Sequence, residues 1–578
     1  MKEWVFATPD EALRDDIASR LDISPVTAAL LLTRGVRTVQ DARRFLKPTR
    51  EDLFDPRLLP DIDKAVDTIC RHAREGSRIV VYGDYDVDGL CAVTMLLQFL
   101  RLLGLDPSYY VPGRAEEGYG VHSDALEKLR EEGAGLVVTV DCGISSVEES
   151  KLAAKLGLEM VITDHHEPSG ELPEAAAVVN PKIEGSDYPF KELAGVGVAF
   201  KLVLALVEHF YPRGEVPPHF EKFLFDSMGL VAMGTIADVV PLLSENRILA
   251  KFGLEALQFS ELPGVQALMN QCGLAEKPLD ADSVSFKLGP RLNVAGRMAS
   301  ADIAMKLLMT DSYGEGERIA RELERLNRER QQAQREITQT ARQIITEELS
   351  EDDTILVLAS ENWSPGVIGI VASHLVEDFH RPAIMISLDG DIGRGSARSI
   401  PPLNIVEALS ACSEHLETFG GHAQAAGLRI PKASIDNFRA DVNAYASNIL
   451  SAEDLRPRLD IDGEVILDSL SQAFVNELDR LSPFGQGAPE PVLVARGVRL
   501  AGRPRRVGSS GKHLAGYLSQ GGAAFRCIAF GMGEFAEKLS RGSGTFDIAF
   551  TPTIETFTGQ GNVELRIKDI RMDEEDAS

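Results

Sequence analysis

Arg78-Ile79-Val80-Val81-Tyr82-Gly83-Asp84-Tyr85-Asp86-Val87-Asp88-Gly89 joins a short apolar run to three carboxylates, and residues 90–103 continue in a helical pattern. This reads as strand, acidic loop, helix. Outward from it the pattern repeats. Residues 136–140 form a second apolar strand with a helix over 147–156, residues 160–163 a third strand and 177–180 a fourth. Strands alternating with helices at this spacing predict βαβ units and a parallel sheet. Each of the first three strands ends in polar residues: Asp84, Asp86 and Asp88; Asp141; and Asp164-His165-His166. An open parallel sheet binds its ligands outside the carboxyl ends of its strands, so the three clusters are predicted to converge there.

The residue types point to metal chemistry. Carboxylates brought together repel unless protons or cations intervene. Carboxylates with one or two imidazoles suit Mn²⁺ or Mg²⁺ better than a thiolate metal. Two such ions about 3.5–4 Å apart activate water and stabilise both oxygens of an in-line displacement at phosphorus. Asp141, alone on its strand end, is the natural bridge. Read singly, the pieces have plainer meanings. The acidic loop could open a calcium loop, but the required twelfth-position Glu is Met95. Asp141 and Asp238 could be helix caps, and His165-His166 a turn.

The chain has 578 residues, which predicts two to four domains. Lys+Arg is 60 and Asp+Glu 88, a net charge of −28. That argues against a basic coat protein or a membrane-surface binder, though not against an enzyme with a local basic channel. Six scattered cysteines form no CxxC pair, so neither a disulfide framework nor a cysteine zinc site is expected. With no signal sequence and no apolar run of membrane-spanning length, the expected location is cytoplasmic.

Residues 1–50 read as a helical cap, with a solvated surface preferred over a nucleic-acid-facing one. Residues 51–312 form the first α/β unit. Residues 313–350 read as one connecting helix with Ile319, Leu323 and Leu326 on a stripe. A second α/β unit spans 351–452, with strands over 355–359 and 383–387, a helix over 367–376, and glycine-rich loops at 390–399 and 420–427. Residues 453–570 carry short alternating strands with glycine turns, the pattern of a small β-barrel. The acidic tail 571–578 is expected to be disordered.

At the strand-end clusters the chain resembles the DHH phosphoesterase superfamily, whose name-giving triplet is here Asp164-His165-His166, and within it the RecJ exonuclease family. Val81-Tyr82-Gly83-Asp84-Tyr85-Asp86-Val87-Asp88-Gly89 resembles the first motif and Val140-Asp141-Cys142-Gly143 the second. Thr235-Ile236-Ala237-Asp238-Val239-Val240-Pro241-Leu242 resembles the fourth and Gly289-Pro290-Arg291-Leu292-Asn293-Val294-Ala295-Gly296-Arg297 the fifth. Gly420-Gly421-His422-Ala423-Gln424-Ala425-Ala426-Gly427 is similar to the signature of the DHH-associated domain. Pro483-Phe484-Gly485-Gln486-Gly487 is similar to the segment that precedes an OB barrel. The resemblance implies a DHH core, a DHH-associated domain and an OB-fold. It implies Asp86, Asp88, Asp141, His165 and Asp238 as ligands of two divalent ions, Mn²⁺ or Mg²⁺, with His166 at the scissile phosphate or at a metal-bound water. Smaller DHH enzymes carry a His where this chain has Tyr82, and Asp84 is the residue placed to compensate.

Arginine forks match phosphate oxygens, and glycines let backbone N–H groups approach an anion. Arg114, Arg297 and Ser396 each follow a glycine and Arg398 lies two residues beyond Ser396, each alone readable as a surface residue. The resemblance gathers them, with Asn293 of the fifth motif, into a pocket for a terminal 5′ phosphate. His422, between Gly421 and Ala423, is a further candidate strand contact, with a structural turn histidine as the alternative. Residues 491–533 hold Arg496, Arg499, Arg503, Arg505, Arg506, Lys512 and Arg526 with no Asp or Glu. This stretch, Arg503, Arg505 and Arg506 above all, is the predicted nucleic-acid groove, with Tyr517 as a base-stacking candidate and Phe525 and Phe530 as barrel core. The resemblance implies single-stranded DNA cleaved 5′→3′ to 5′ mononucleotides in repair and recombination. It places a helicase and a single-strand-binding protein nearby and no membrane. Two alternatives stand: a DHH phosphodiesterase of short oligonucleotides or cyclic dinucleotides, and a non-catalytic replication scaffold.

Overall fold

The computed structural model describes residues 2–113, 117–168, 170–212, 214–348, 353–508, 510–541, 544–555 and 561–572. Arg114, the last two residues of the expected connecting helix and most of the acidic tail lie outside them.

The first sheet has five strands in the order Ser108–Tyr110, Arg78–Gly83, Ala134–Val140, Glu159–Thr163, Ala177–Val179. All neighbours run parallel. Along the chain this is the order 2-1-3-4-5, so the winding reverses between Arg78–Gly83 and Ala134–Val140. That reversal opens a crevice at the carboxyl edge, where doubly wound sheets hold their ligands. Alternate residues of Arg78–Gly83 enter different cores. Ile79 and Val81 join the one formed with helices Ile62–Glu75, Val87–Leu102 and Gly195–Phe210. Val80 and Tyr82 join the one formed with helices Ser123–Glu131 and Val147–Lys155.

Helix Tyr313–Glu348 connects the units. Its first half buries Ile319, Ala320, Leu323 and Leu326 in the first unit, and its second half buries Ile337 and Ala341 against the second. The second sheet runs Thr418–His422, Ala425–Pro431, Ile392–Arg398, Ala383–Asp389, Leu356–Ser360. Only its last pair is parallel. The stretches expected as glycine-rich loops are therefore largely strands. Their glycines make room for neighbours: a Cβ at Gly393 would lie 2.5 Å from Ile386 Cγ2, and one at Gly395 would lie 2.7 Å from Leu428 Cγ.

The C-terminal sheet closes on itself. Arg499 and Leu500 of strand Leu493–Leu500 pair with Ser519 and Leu518. The ring continues through Phe546–Ile554, Val563–Met572, Ala523–Ala529 and His513–Gln520, which makes a five-stranded barrel. The N-terminal segment differs from the expected solvated cap. Helices Glu11–Leu21, Pro25–Thr33 and Val39–Leu46 share one core with the barrel, where Ile17, Leu30 and Leu31 are fully buried. Each such side chain is worth about 1.5–3 kcal/mol of apolar burial, enough to dock the segment. Strand Glu3–Phe6, absent from the sequence reading, pairs in parallel with Arg458–Ile461. Among the described residues no helix is long and apolar enough to cross a membrane.

Candidate active site

The three strand-end clusters meet at the crevice. Asp86 caps helix Val87–Leu102, its Oδ1 accepting from the amides of Asp88 at 2.9 Å and Gly89 at 3.2 Å. The Val87 amide donates to Asn293 Oδ1 at 3.1 Å, so the fifth motif holds the acidic loop in place. Asp88 is buried and accepts from the Gly195 and Val196 amides at 2.7 and 3.0 Å, at the start of helix Gly195–Phe210. Asp141 ends its strand with φ 61°. This left-handed backbone costs of order 1–3 kcal/mol, is seldom seen outside glycine, and is typical of functional sites. Asp238 caps the C-terminus of helix Pro218–Ala237 and is delivered from a different layer.

His165 is their common neighbour. Its Nε2 lies 3.2 Å from Asp141 Oδ1, 3.6 Å from Asp238 Oδ2 and 4.0 Å from Asp88 Oδ2. Yet Asp141 Oδ1 and His165 Nε2, both buried, make no hydrogen bond. Ligand atoms of Asp88, His165 and Asp238 lie within 4.8 Å of one another, as do those of Asp84, Asp86 and Asp141, and those of Asp141, His165 and His166. The electrostatics agree. Burial first, then the neighbouring carboxylates, raises Asp88, Asp141 and Asp238 above the usual carboxylate range. Burial and the adjacent His166 lower His165, leaving it a neutral imidazole. Buried oxygens that repel one another and a neutral ring nitrogen without a partner fit divalent cations, which reverse each of these penalties.

Asp164 does different work. It is fully buried, and its carboxylate accepts from the amides of Ile144 at 2.9 Å, His165 at 2.7 Å and His166 at 3.2 Å. Its Oδ1 also lies 2.7 Å from His166 Nδ1. Burial pushes Asp164 up, but His166 more than offsets this and holds it low. Burial pulls His166 down, and the Asp164 hydrogen bond and charge more than restore it. Tyr119 Oη lies 2.9 Å from the same Nδ1, and Asn180 donates to the His166 carbonyl at 2.9 Å. With Nδ1 committed, Nε2 is the nitrogen left for a ligand. Sequence reasoning missed Asp164, Tyr119 and Asn180 as supports of His166. The glycines flanking Tyr119, with φ 92° and 102°, and the place of Asp164 beside the histidine pair were the available signals.

Tyr82 points away from the cluster. It is buried, stacks on Tyr110 at 5.0 Å and donates to the Gly120 carbonyl. Across the crevice, His422 of the second unit lies parallel to His166, ring centroids 6.5 Å apart and planes 18° apart. Arg297 donates to the Gly366 carbonyl at 3.4 Å, in the first turn of helix Pro365–Phe379. A Cβ at Gly369 of that helix would come within 2.9 Å of Ser396 Oγ and 3.2 Å of Arg398 Nη2. Three of the expected phosphate contacts thus gather at one helix start. Beside them a cavity of about 130 Å³ is lined by Asn293, Arg297 and Arg330, between the two units.

On the barrel, Arg496, Arg506 and Arg526 are tied to acids. Arg499, Arg503, Arg505 and Lys512 are exposed and have no acidic partner among the described residues. Arg506 is thus the least available of the three arginines placed in the groove. Phe525 packs on the barrel core as expected. Phe530 does not: it is 59% exposed, edge-on to His513, and Tyr517 is 54% exposed.

A 2-1-3-4-5 parallel sheet with acids and paired histidines at its crevice, faced by a mixed-sheet unit, defines a protein of the DHH class. The DHH family, N-terminal domain model matches residues 78–235, the DHHA1 domain 352–448 and the RecJ OB domain 461–569. The chain belongs to the RecJ family. It is 38% identical over 573 residues to the single-stranded-DNA-specific exonuclease RecJ of Bacillus subtilis, covering 99% of this chain and 71% of that one. The crystal structure of RecJ in complex with Mn²⁺ from Thermus thermophilus superposes with a TM-score of 0.84 at 31% identity, covering 99% of this chain and 80% of that one. Its Mg²⁺ complex superposes with a TM-score of 0.78 at 30% identity, over 99% and 79%.

Proposed function

We propose that this chain is a metal-dependent exonuclease specific for single-stranded DNA, removing 5′ mononucleotides in the 5′→3′ direction during repair and recombination. Asp86, Asp88, Asp141, His165 and Asp238 would hold two divalent ions, Mn²⁺ or Mg²⁺. The observation that carries this is His165 Nε2, which makes no hydrogen bond although three carboxylates from separate elements surround it. The chemistry such ions supply is Lewis acidity at phosphoryl oxygens and acidification of water. Asp84, buried beside Asp86 and Asp141, adds negative charge where Tyr82 gives none. His166, held by Asp164, presents Nε2 to the phosphate undergoing attack. Arg297, Ser396 and Arg398, with Arg114, would grip the terminal phosphate by charge and by the helix start. That grip sets polarity, because the held end brings the next phosphodiester to the acids. His422 closes the cleft opposite. Arg503 and Arg505, with Arg506 in a lesser role, would lead the strand along the barrel, past a helicase and a single-strand-binding protein. A barrel whose basic stretch leaves Arg499, Arg503, Arg505 and Lys512 without acidic partners among the described residues favours long strands over cyclic dinucleotides.

End-labelled single strands with and without a 5′ phosphate test the proposal. With Mn²⁺, the expected product is mononucleotide released from the 5′ end, faster when that end is phosphorylated, with duplex spared. Asp141→Ala should abolish hydrolysis while strand binding persists. Unchanged hydrolysis by that variant would remove the metal assignment, and release of only short oligomers would favour the oligonucleotide reading.

A further inference from the structure

Asp238 is followed by a strained residue. Val239 is β-branched yet sits at φ 62°, an outlier for such a side chain. It is 63% exposed, so its own burial does not hold it there. A conformation of this kind persists only where the surroundings over-determine it. The next residues are clamped. The Leu242 amide donates to the Gln486 carbonyl at 2.8 Å, and Asn246 Nδ2 donates to the Pro241 carbonyl at 3.1 Å. Pro241, Leu242 and Leu243 lie tight under two glycines. A Cβ at Gly485 would come within 2.7 Å of Leu242 Cδ1, and one at Gly487 within 3.2 Å of Pro241 Cβ.

The strap that presses on them, residues 480–489, leads into the barrel and is held by its carbonyls. Arg247, 1% exposed, donates to the carbonyls of Arg480, Leu481, Ser482 and Pro483, and to that of Phe45. Its guanidinium lies 3.9 Å above the Phe45 ring. Arg34, also buried, donates to the Pro489 carbonyl. A fully buried guanidinium satisfied by five carbonyls is a rigid fork that lysine or glutamine does not reproduce.

We propose that this strap is a positioning element of the active site. By clamping residues 241–243 it holds Val239 in the left-handed conformation, and Val239 in turn aims the Asp238 carboxylate at His165. Arg247 and Val239 are positioning residues that act through Asp238. The proposal rests on the reading of Asp238 as a cation ligand.

Mn²⁺ titration of the full chain without DNA, followed by calorimetry and by the spin-resonance signal of free Mn²⁺, tests it. Arg247→Gln is expected to weaken Mn²⁺ binding roughly tenfold, the scale at which outer supports of metal ligands act. Adding Val239→Gly to that chain is expected to restore the parent affinity, because glycine adopts φ 62° without the clamp. If Arg247→Gln does not fold, Gly487→Ala, which drives a methyl onto Pro241, takes its place in the same pair. Parent affinity in the clamp variant, or weakened binding that Val239→Gly does not restore, overturns the proposal. Asp238→Ala separates the two levels: if it leaves Mn²⁺ binding intact, the ligand reading itself falls and the proposal with it.

Discussion

Three of the site's acids stand where a glycine leaves no room for anything more. A Cβ at Gly195 would come within 2.4 Å of Asp141 Oδ1, and one at Gly234 within 2.5 Å of Asp88 Oδ1. One at Gly89 would come within 2.5 Å of the Asp84 carbonyl oxygen. Gly195→Ala is therefore expected to turn the Asp141 carboxylate away. Hydrolysis should fall roughly 10²-fold, the penalty of a 1 Å misplacement, while stability drops by only about 1–3 kcal/mol, as for a methyl forced into a packed site. Single-turnover cleavage and urea unfolding measure the two. A rate loss no larger than the stability loss explains would refute the point. The acids were legible because carboxylates at strand ends announce a cation. Gly195 and Gly234 act through space they leave empty, and Asp164 through four donors it gathers from folded neighbours. None of those contacts exists until the chain is folded.

Among elements, the strands Arg78–Gly83 and Ala134–Val140 could be read directly, since a parallel sheet covered on both faces leaves continuous apolar runs. Strand Ile392–Arg398 could not. Glycines and arginines fill it, and the neighbouring Ile386 and Leu428 supply the apolar cover. The helix Tyr313–Glu348 was legible through its first stripe, but its split loyalty was not: Leu323 belongs to one core and Ile337 to another. Ile337→Ala should therefore cost about 2–5 kcal/mol in the second unit alone. The acids all belong to the first unit, so Mn²⁺ affinity is expected to hold while DNA cleavage falls, because His422 loses its fixed place opposite His166. Calorimetric unfolding and Mn²⁺ titration of one preparation decide it, and a matching loss of Mn²⁺ affinity would show that the units are not separable in this way.

For the whole molecule, the puzzle is a DNA enzyme with a net charge of −28. Part of that charge is the site itself, where carboxylates are needed and cations would offset them. The remainder repels a phosphate backbone except where basic side chains stand without partners. Among the described residues of the barrel's basic stretch these include Arg499, Arg503, Arg505 and Lys512, with the exposed rings of Tyr517 and Phe530 on the same stretch. Unpaired cations release counterions from a bound strand, whereas ion-paired Arg496 and Arg526 have already spent theirs on Glu464 and Glu555. Single strands lose affinity with salt at a log–log slope of about 0.7 per phosphate contact. Replacing Arg503, Arg505 and Lys512 together by Ala should thus weaken binding of a long strand and flatten that slope by about 2. Cleavage of a strand too short to reach the barrel should be unaffected, since the acids and the phosphate grip lie in the other two units. Replacing Arg496 and Arg526 instead should change the slope little. If the paired arginines matter as much as the unpaired ones, or if the short strand suffers equally, the strand does not follow the barrel's basic face.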